Sequence, residues 1–123
     1  MDGKMTTPLT AEIARFASGL EFADVPEAAV PRVSAAFADC IGVMLAGHDL
    51  PVTNIALKFA GGTAAPGGRF LGGLGLAPPA TGLVYGTAAH ALDFDDTGLN
   101  GHPSAVLVPA ILAAAEDVGA LTQ

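Results

Sequence analysis

The one dense cluster of chemically able side chains runs Asp93-Phe94-Asp95-Asp96-Thr97-Gly98-Leu99-Asn100-Gly101-His102-Pro103-Ser104. It carries three carboxylates, a threonine hydroxyl and an imidazole within ten positions. Asp93 and Thr97 are four residues apart, so on a continuing helical turn they share a face, and Asp95 is expected to point elsewhere. His102 stands just before Pro103, at the start of a predicted helix, where unpaired backbone N–H groups and the helix dipole favour an anion. A carboxylate substrate fits between Thr97 and that helix start, with His102 and Asp93 in reach for proton transfer. An imidazole ordinarily titrates near ~6.5, which suits giving or taking a proton at neutral pH. The plainer reading of the same residues is a solvated acidic bend whose Asp and Asn side chains cap helix ends, with Asp95 or Asp96 as the cap.

Two further chemistries are weaker. Asp93, Asp95, Thr97 and Gly98 match positions one, three, five and six of an EF-hand loop, but the twelfth position is Ser104 instead of the bidentate Glu. A magnesium site from Asp93, Asp95 and Asp96 lacks a second cluster elsewhere. The glycine-rich stretch 61–75 lacks the Gly-Lys-Ser/Thr ending of a phosphate loop and has no strand before it. His48 follows Gly47 at a predicted helix end, where an imidazole meets the C-terminal dipole and serves structure. His90 lies three residues before Asp93 and either supports the cluster or packs.

The elements that position these residues read as helices. Thr7-Pro8 starts a first helix through Leu9, Ile13 and Phe16 to Gly19. Asp24-Val25-Pro26-Glu27 opens a short turn, and a continuous helix is expected from near Pro31 to Gly47, because a proline deeper inside would clash with the preceding carbonyl. Leu50-Pro51 starts a third helix ended by Gly61-Gly62. Arg69-Phe70-Leu71 is at most a short extended piece. Pro78-Pro79 leads a fourth helix through Leu92, and His102-Pro103-Ser104 a fifth, closed at Gly119. The fold class is therefore all-α, with about five helices and little or no sheet.

Composition excludes several functions. The 123 residues carry 12 acidic and five basic side chains, a formal net charge of −7. Nucleic acids and anionic membranes both need clustered Lys and Arg, so neither is an expected partner. The longest apolar run, from Ala105 to Ala115, is short of the ~20 residues of a membrane span. The N-terminus has no basic start followed by an apolar stretch. Lone Cys40 cannot form an internal disulfide and reads as a small buried hydrophobe, which points to a reducing cytoplasm. Only 14% of residues are charged, so extra apolar surface is expected to be covered by more chain or by a second subunit.

The run Gly86-Thr87-Ala88-Ala89-His90-Ala91-Leu92-Asp93-Phe94-Asp95-Asp96-Thr97, followed by Gly101-His102-Pro103-Ser104-Ala105, closely resembles the signature of the MmgE/PrpD family. That family includes 2-methylcitrate dehydratase, cis-aconitate decarboxylase and iminodisuccinate epimerase. Phe22-Ala23-Asp24-Val25-Pro26 and Ala38-Asp39-Cys40-Ile41-Gly42-Val43-Met44-Leu45-Ala46-Gly47 resemble its first long helix. The resemblance implies a large helical domain with a smaller α+β domain set into it, usually in a homodimer. It implies lyase chemistry on small di- and tricarboxylates without metal or organic cofactor, in which a proton next to a carboxylate moves and water or carbon dioxide leaves. It maps the family's active-site aspartate and histidine onto Asp93 and His102 as catalytic residues, and its threonine onto Thr97 as a substrate-binding residue. Many members have a histidine directly after that threonine, where this chain has Gly98.

Members of the family are several times longer than 123 residues. Residues 1–123 are thus expected to be a partial helical domain, inactive alone, with the α+β domain and the basic residues that receive the substrate's carboxylates downstream. The competing expectation is a non-catalytic helical interaction module or subunit.

Overall fold

The computed structural model describes residues 8–62, 70–98 and 100–120. Five α-helices follow one another: α1 (Leu9–Gly19), α2 (Val30–Gly47), α3 (Pro51–Phe59), α4 (Pro78–His90) and α5 (Pro103–Asp117). Among the described residues there is no strand, only an isolated bridge between Gly98 and Gly101. The all-α expectation holds. Of the expected extended piece, Arg69 lies outside the described residues, and Phe70 and Leu71 form a bend and turn.

The chain divides into two compact units, up to Val33 and from Ser34 onward. In the first, Phe22–Asp24 and Glu27–Ala29 form single 3-10 turns. The earlier of these was not foreseen; it is closed by the Glu21 N–H donating to the Asp24 carboxylate at 3.0 Å. The turn at 27–29 precedes α2 for the expected reason. Pro31 has no N–H to give to the carbonyl four residues back, so regular helix starts at Val30 with the proline inside its first turn.

The second unit holds the core. Cys40 and Met44 of α2, Tyr85, Ala88 and Ala89 of α4, and Ala105, Val108 and Leu112 of α5 form one buried cluster. α4 is the central element, with Thr81, Val84, Tyr85, Ala88 and Ala89 all buried. Its short side chains let neighbours come close. A Cβ on Gly86 would lie 3.1 Å from the Ala105 carbonyl oxygen. Pro109, buried within α5, cannot donate to that same carbonyl, and the glycine's backbone fills the space beside it.

The helix ends follow the glycines. Gly61 (φ 78°) and Gly119 (φ 70°) adopt the left-handed conformation. The next N–H reaches back in each case, Gly62 to the Leu57 carbonyl at 2.9 Å and Ala120 to the Ala115 carbonyl at 2.8 Å. These are Schellman closures, which satisfy carbonyls that the helix leaves open.

Residues 27–47 are long and apolar enough to cross a membrane by length and composition, with a mean hydropathy of 1.5. Alanine and valine, with Phe37, Cys40, Ile41, Met44 and Leu45, supply that score. Cys40 and Met44 nevertheless lie in the core described above, and Gly47 is buried as well.

Candidate functional site

The site is built where α4 ends and α5 begins. α4 stops at His90, and the Asp93 N–H closes its end on the His90 carbonyl at 3.1 Å. Asp93 then turns left-handed, φ 55°, a conformation that aspartate and asparagine tolerate better than most residues. No helical turn continues from Asp93 to Thr97, and the segment is a bend between α4 and α5. The reversal sends Asp95 inward and leaves Asp93 and Thr97 exposed.

Asp95 points elsewhere than Asp93 and Thr97, as the spacing suggested, and its direction is inward. Its side chain is fully buried between two imidazoles. Oδ1 accepts a hydrogen bond from His90 Nδ1 at 3.0 Å, with Oδ2 at 3.3 Å from the same nitrogen. Oδ2 also lies 3.1 Å from His102 Nδ1. That second contact is ionic in distance but off the line of a hydrogen bond, so His102 Nδ1 is buried with no hydrogen-bond partner. A buried donor left unpaired costs about 1–3 kcal/mol. The two rings lie 4.5 Å apart between centroids. On its other side His102 Nε2 stands 3.8 Å from Asp93 Oδ1.

Electrostatics follow this geometry. The hydrogen bond donated to Asp95 raises the His90 imidazole above its ordinary 6.5, against a smaller lowering by burial. For Asp95 burial works upward, but the His90 hydrogen bond, a backbone hydrogen bond and the charges of His90 and His102 outweigh it. The carboxyl is held below its ordinary value. Beneath the cluster Cys40 donates its S–H to the Ser104 carbonyl at 3.4 Å. Burial, followed by the charges of Asp95, Asp96 and Asp39, pushes its thiol up to about 11, so it is inert at neutral pH.

Asp96 is the cap. Its Oδ1 accepts from the Ser104 backbone N–H at 3.0 Å, satisfying one of the open donors of α5. Gly98 and Gly101 exchange both backbone hydrogen bonds at 2.9 Å, which folds 98–101 into a tight reversal before His102.

Two cavities meet at His102. A polar one of about 510 Å³ is lined by Thr97, Gly98, Asn100, Gly101 and His102. A mainly apolar one of about 590 Å³ runs between α3, α4 and α5 past Leu83, Thr87, Val106, His90 and His102. Thr97 and His102 thus line one opening, and Asp93 lies beside His102. His90 joins them on the apolar side. The sequence signal for His90 and Asp95 was present in their spacing, but it could not be read without the reversal at Asp93.

His48 lies outside the site. Its Nδ1 lies 2.6 Å from the Leu45 carbonyl at the end of α2, and its Nε2 lies 3.2 Å from Asp49.

One ligand atom each from His90, Asp93, Asp95 and His102 lies within 4.8 Å of the others, a spacing that a cation tolerates. Asp95 and Asp93, however, address opposite nitrogens of the His102 ring, and a ring donates to one metal through a single nitrogen. The arrangement fits hydrogen-bonded acid–base groups better.

An all-helical domain with an imidazole–carboxylate cluster at a helix start defines the class of protein. The chain matches the model of the MmgE/PrpD N-terminal domain over residues 11–123. It belongs to that family. It matches no curated protein and no solved structure.

Proposed function

We propose that the chain is the N-terminal helical part of a cofactor-independent lyase of the 2-methylcitrate dehydratase kind. It acts on small di- and tricarboxylates by moving a proton next to a carboxylate. The observation that carries this reading is the placement of Thr97 and His102 on one polar opening at the start of α5, with Asp93 Oδ1 3.8 Å from His102 Nε2. His102 is the proton-transfer group. Asp93 orients it or the substrate's hydroxyl, and Thr97 donates a hydrogen bond to a substrate carboxylate. The N-terminus of α5 adds its dipole where an anion would lie.

With five basic residues against 12 acidic ones, this segment by itself holds little charge for a tricarboxylate. The proposal therefore includes a downstream domain that supplies cations, a homodimer and a cytoplasmic setting, with the segment inactive alone. The test is a kinetic assay of 2-methylcitrate dehydration and cis-aconitate decarboxylation. It uses protein made from the whole reading frame that carries this chain. Turnover that disappears in His102→Ala supports the reading. Binding of a protein partner by a form inactive on every polycarboxylate would favour a non-catalytic helical module instead.

A further inference from the structure

The proposed function uses His102 and leaves two well-placed groups unexplained. Asp95 is the fully buried carboxylate of the cluster, and His90 carries a half-exposed imidazole on the apolar cavity. Each Asp95 oxygen faces a different ring, 3.0 Å to His90 Nδ1 and 3.1 Å to His102 Nδ1. We infer that His90 and His102 are a matched pair of proton-transfer groups, and that Asp95 is a positioning residue holding both rings through Nδ1 so that both Nε2 atoms face away from it, the His102 Nε2 lying 3.8 Å from Asp93 Oδ1.

Three features of the geometry support the pair. A carboxylate accepts and does not donate, so His90 presents Nδ1–H to Asp95 in its hydrogen bond, and the same tautomer at His102 would set its Nδ1–H 3.1 Å from the other carboxylate oxygen. The rings lie 4.5 Å apart between centroids, so a proton on one disfavours a proton on the other, and the pair can offer one ring as acid and the other as base. Finally, both rings line the same cavity. The titratable groups that face them are Asp95 and Asp93 from the bend, with Cys40 of α2 close enough to feel Asp95.

The use of this pair in catalysis rests on the lyase reading above. On a substrate with a hydroxyl one carbon from an acidic C–H, the neutral ring takes the proton through Nε2. The C–H electron pair forms the C=C bond as the C–O pair leaves on oxygen. The protonated ring delivers the proton that makes the leaving group water. The rings have then exchanged protonation states, and proton exchange with solvent resets them. Two proton-handling groups suit loss of water, whereas loss of carbon dioxide needs only one.

The test reads the rings directly, in protein from the whole reading frame labelled with ¹⁵N-histidine. Signals are assigned by loss in His90→Gln and His102→Gln. Both rings are expected as Nδ1–H tautomers in their neutral forms. Asp95→Asn, with helix content checked by circular dichroism, is expected to remove that bias at both rings together, and Asp95→Glu to restore part of it. An unchanged His102 signal in Asp95→Asn, an Nε2–H tautomer at either ring, or stoichiometric zinc binding by the cluster would overturn the shared lock. In kinetics, His90→Gln is expected to lower kcat by about 10²-fold with KM little changed; unchanged kcat in that variant overturns the catalytic pair. Wild-type protein with locked rings but no turnover on any polycarboxylate overturns the lyase reading and the pair's catalytic use, and leaves the lock standing.

Discussion

Gly47, the last residue of α2, abuts α4 so closely that a Cβ there would lie 2.1 Å from the Ala88 carbonyl oxygen. The obstacle is backbone, which cannot rotate away. Ala88 is two residues before His90, so this contact fixes the end of α2 against the part of α4 that presents the site. Gly47→Ala is expected to destabilise the fold by about 1–3 kcal/mol, the usual cost of overpacking. Urea unfolding at constant pH measures it, and an unchanged midpoint would mean that α2 can slide without loss.

The His90–Asp95 pair predicts a pH window. His90 is raised in the folded state, so its contribution is complete below its ordinary 6.5 and is lost as pH climbs through the raised value. Asp95 is lowered, so its contribution is complete above its ordinary 3.8 and is lost as pH falls through the lowered value. Together they stabilise most between pH 3.8 and 6.5. Asp95→Asn should flatten that profile in denaturant titrations run at several pH values; a profile identical to wild type would refute the linkage.

Asp96 should act on stability before chemistry. It caps α5 through Ser104 N–H, so Asp96→Ala is expected to cost about 0.5–2 kcal/mol. Thermal unfolding reports this directly, and kcat measured well below the melting temperature should change little.

For the proposed lyase, His102→Ala is expected to lower kcat by about 10²–10⁴-fold with a small change in KM. Thr97→Ala should mainly raise KM, because it removes a hydrogen bond to substrate. Steady-state kinetics on 2-methylcitrate and cis-aconitate separate these effects. Near-normal turnover in His102→Ala would move the acid–base role elsewhere.

The second unit leaves large apolar side chains in the open, including Phe59 at 83%, Phe94 at 72% and Val106 at 69% exposure. The 123-residue chain on its own is expected to self-associate or to bind apolar dyes. Sedimentation velocity showing a monodisperse monomer across concentration would contradict this.

Local sequence determined the helices and their ends. Proline starts and glycine stops act over four or five residues, through missing N–H groups and left-handed backbone, so the bounds near Leu9, Pro51, Pro78 and Pro103 and the closures at Gly61 and Gly119 were legible from the chain alone. The motif around Asp93, Thr97 and His102 was legible as well, because it is contiguous. Spacing could not show which way each side chain of that motif turns. The left-handed step at Asp93 ends the helical register, and only the packing of α5 against α4 brings His102 over the end of α4. That packing depends on Gly86 meeting the Ala105 carbonyl, a contact between residues 19 positions apart. The burial of Asp95 between two imidazoles is thus a tertiary decision: a buried carboxylate needs partners, and the partners come from two helices that the bend folds together.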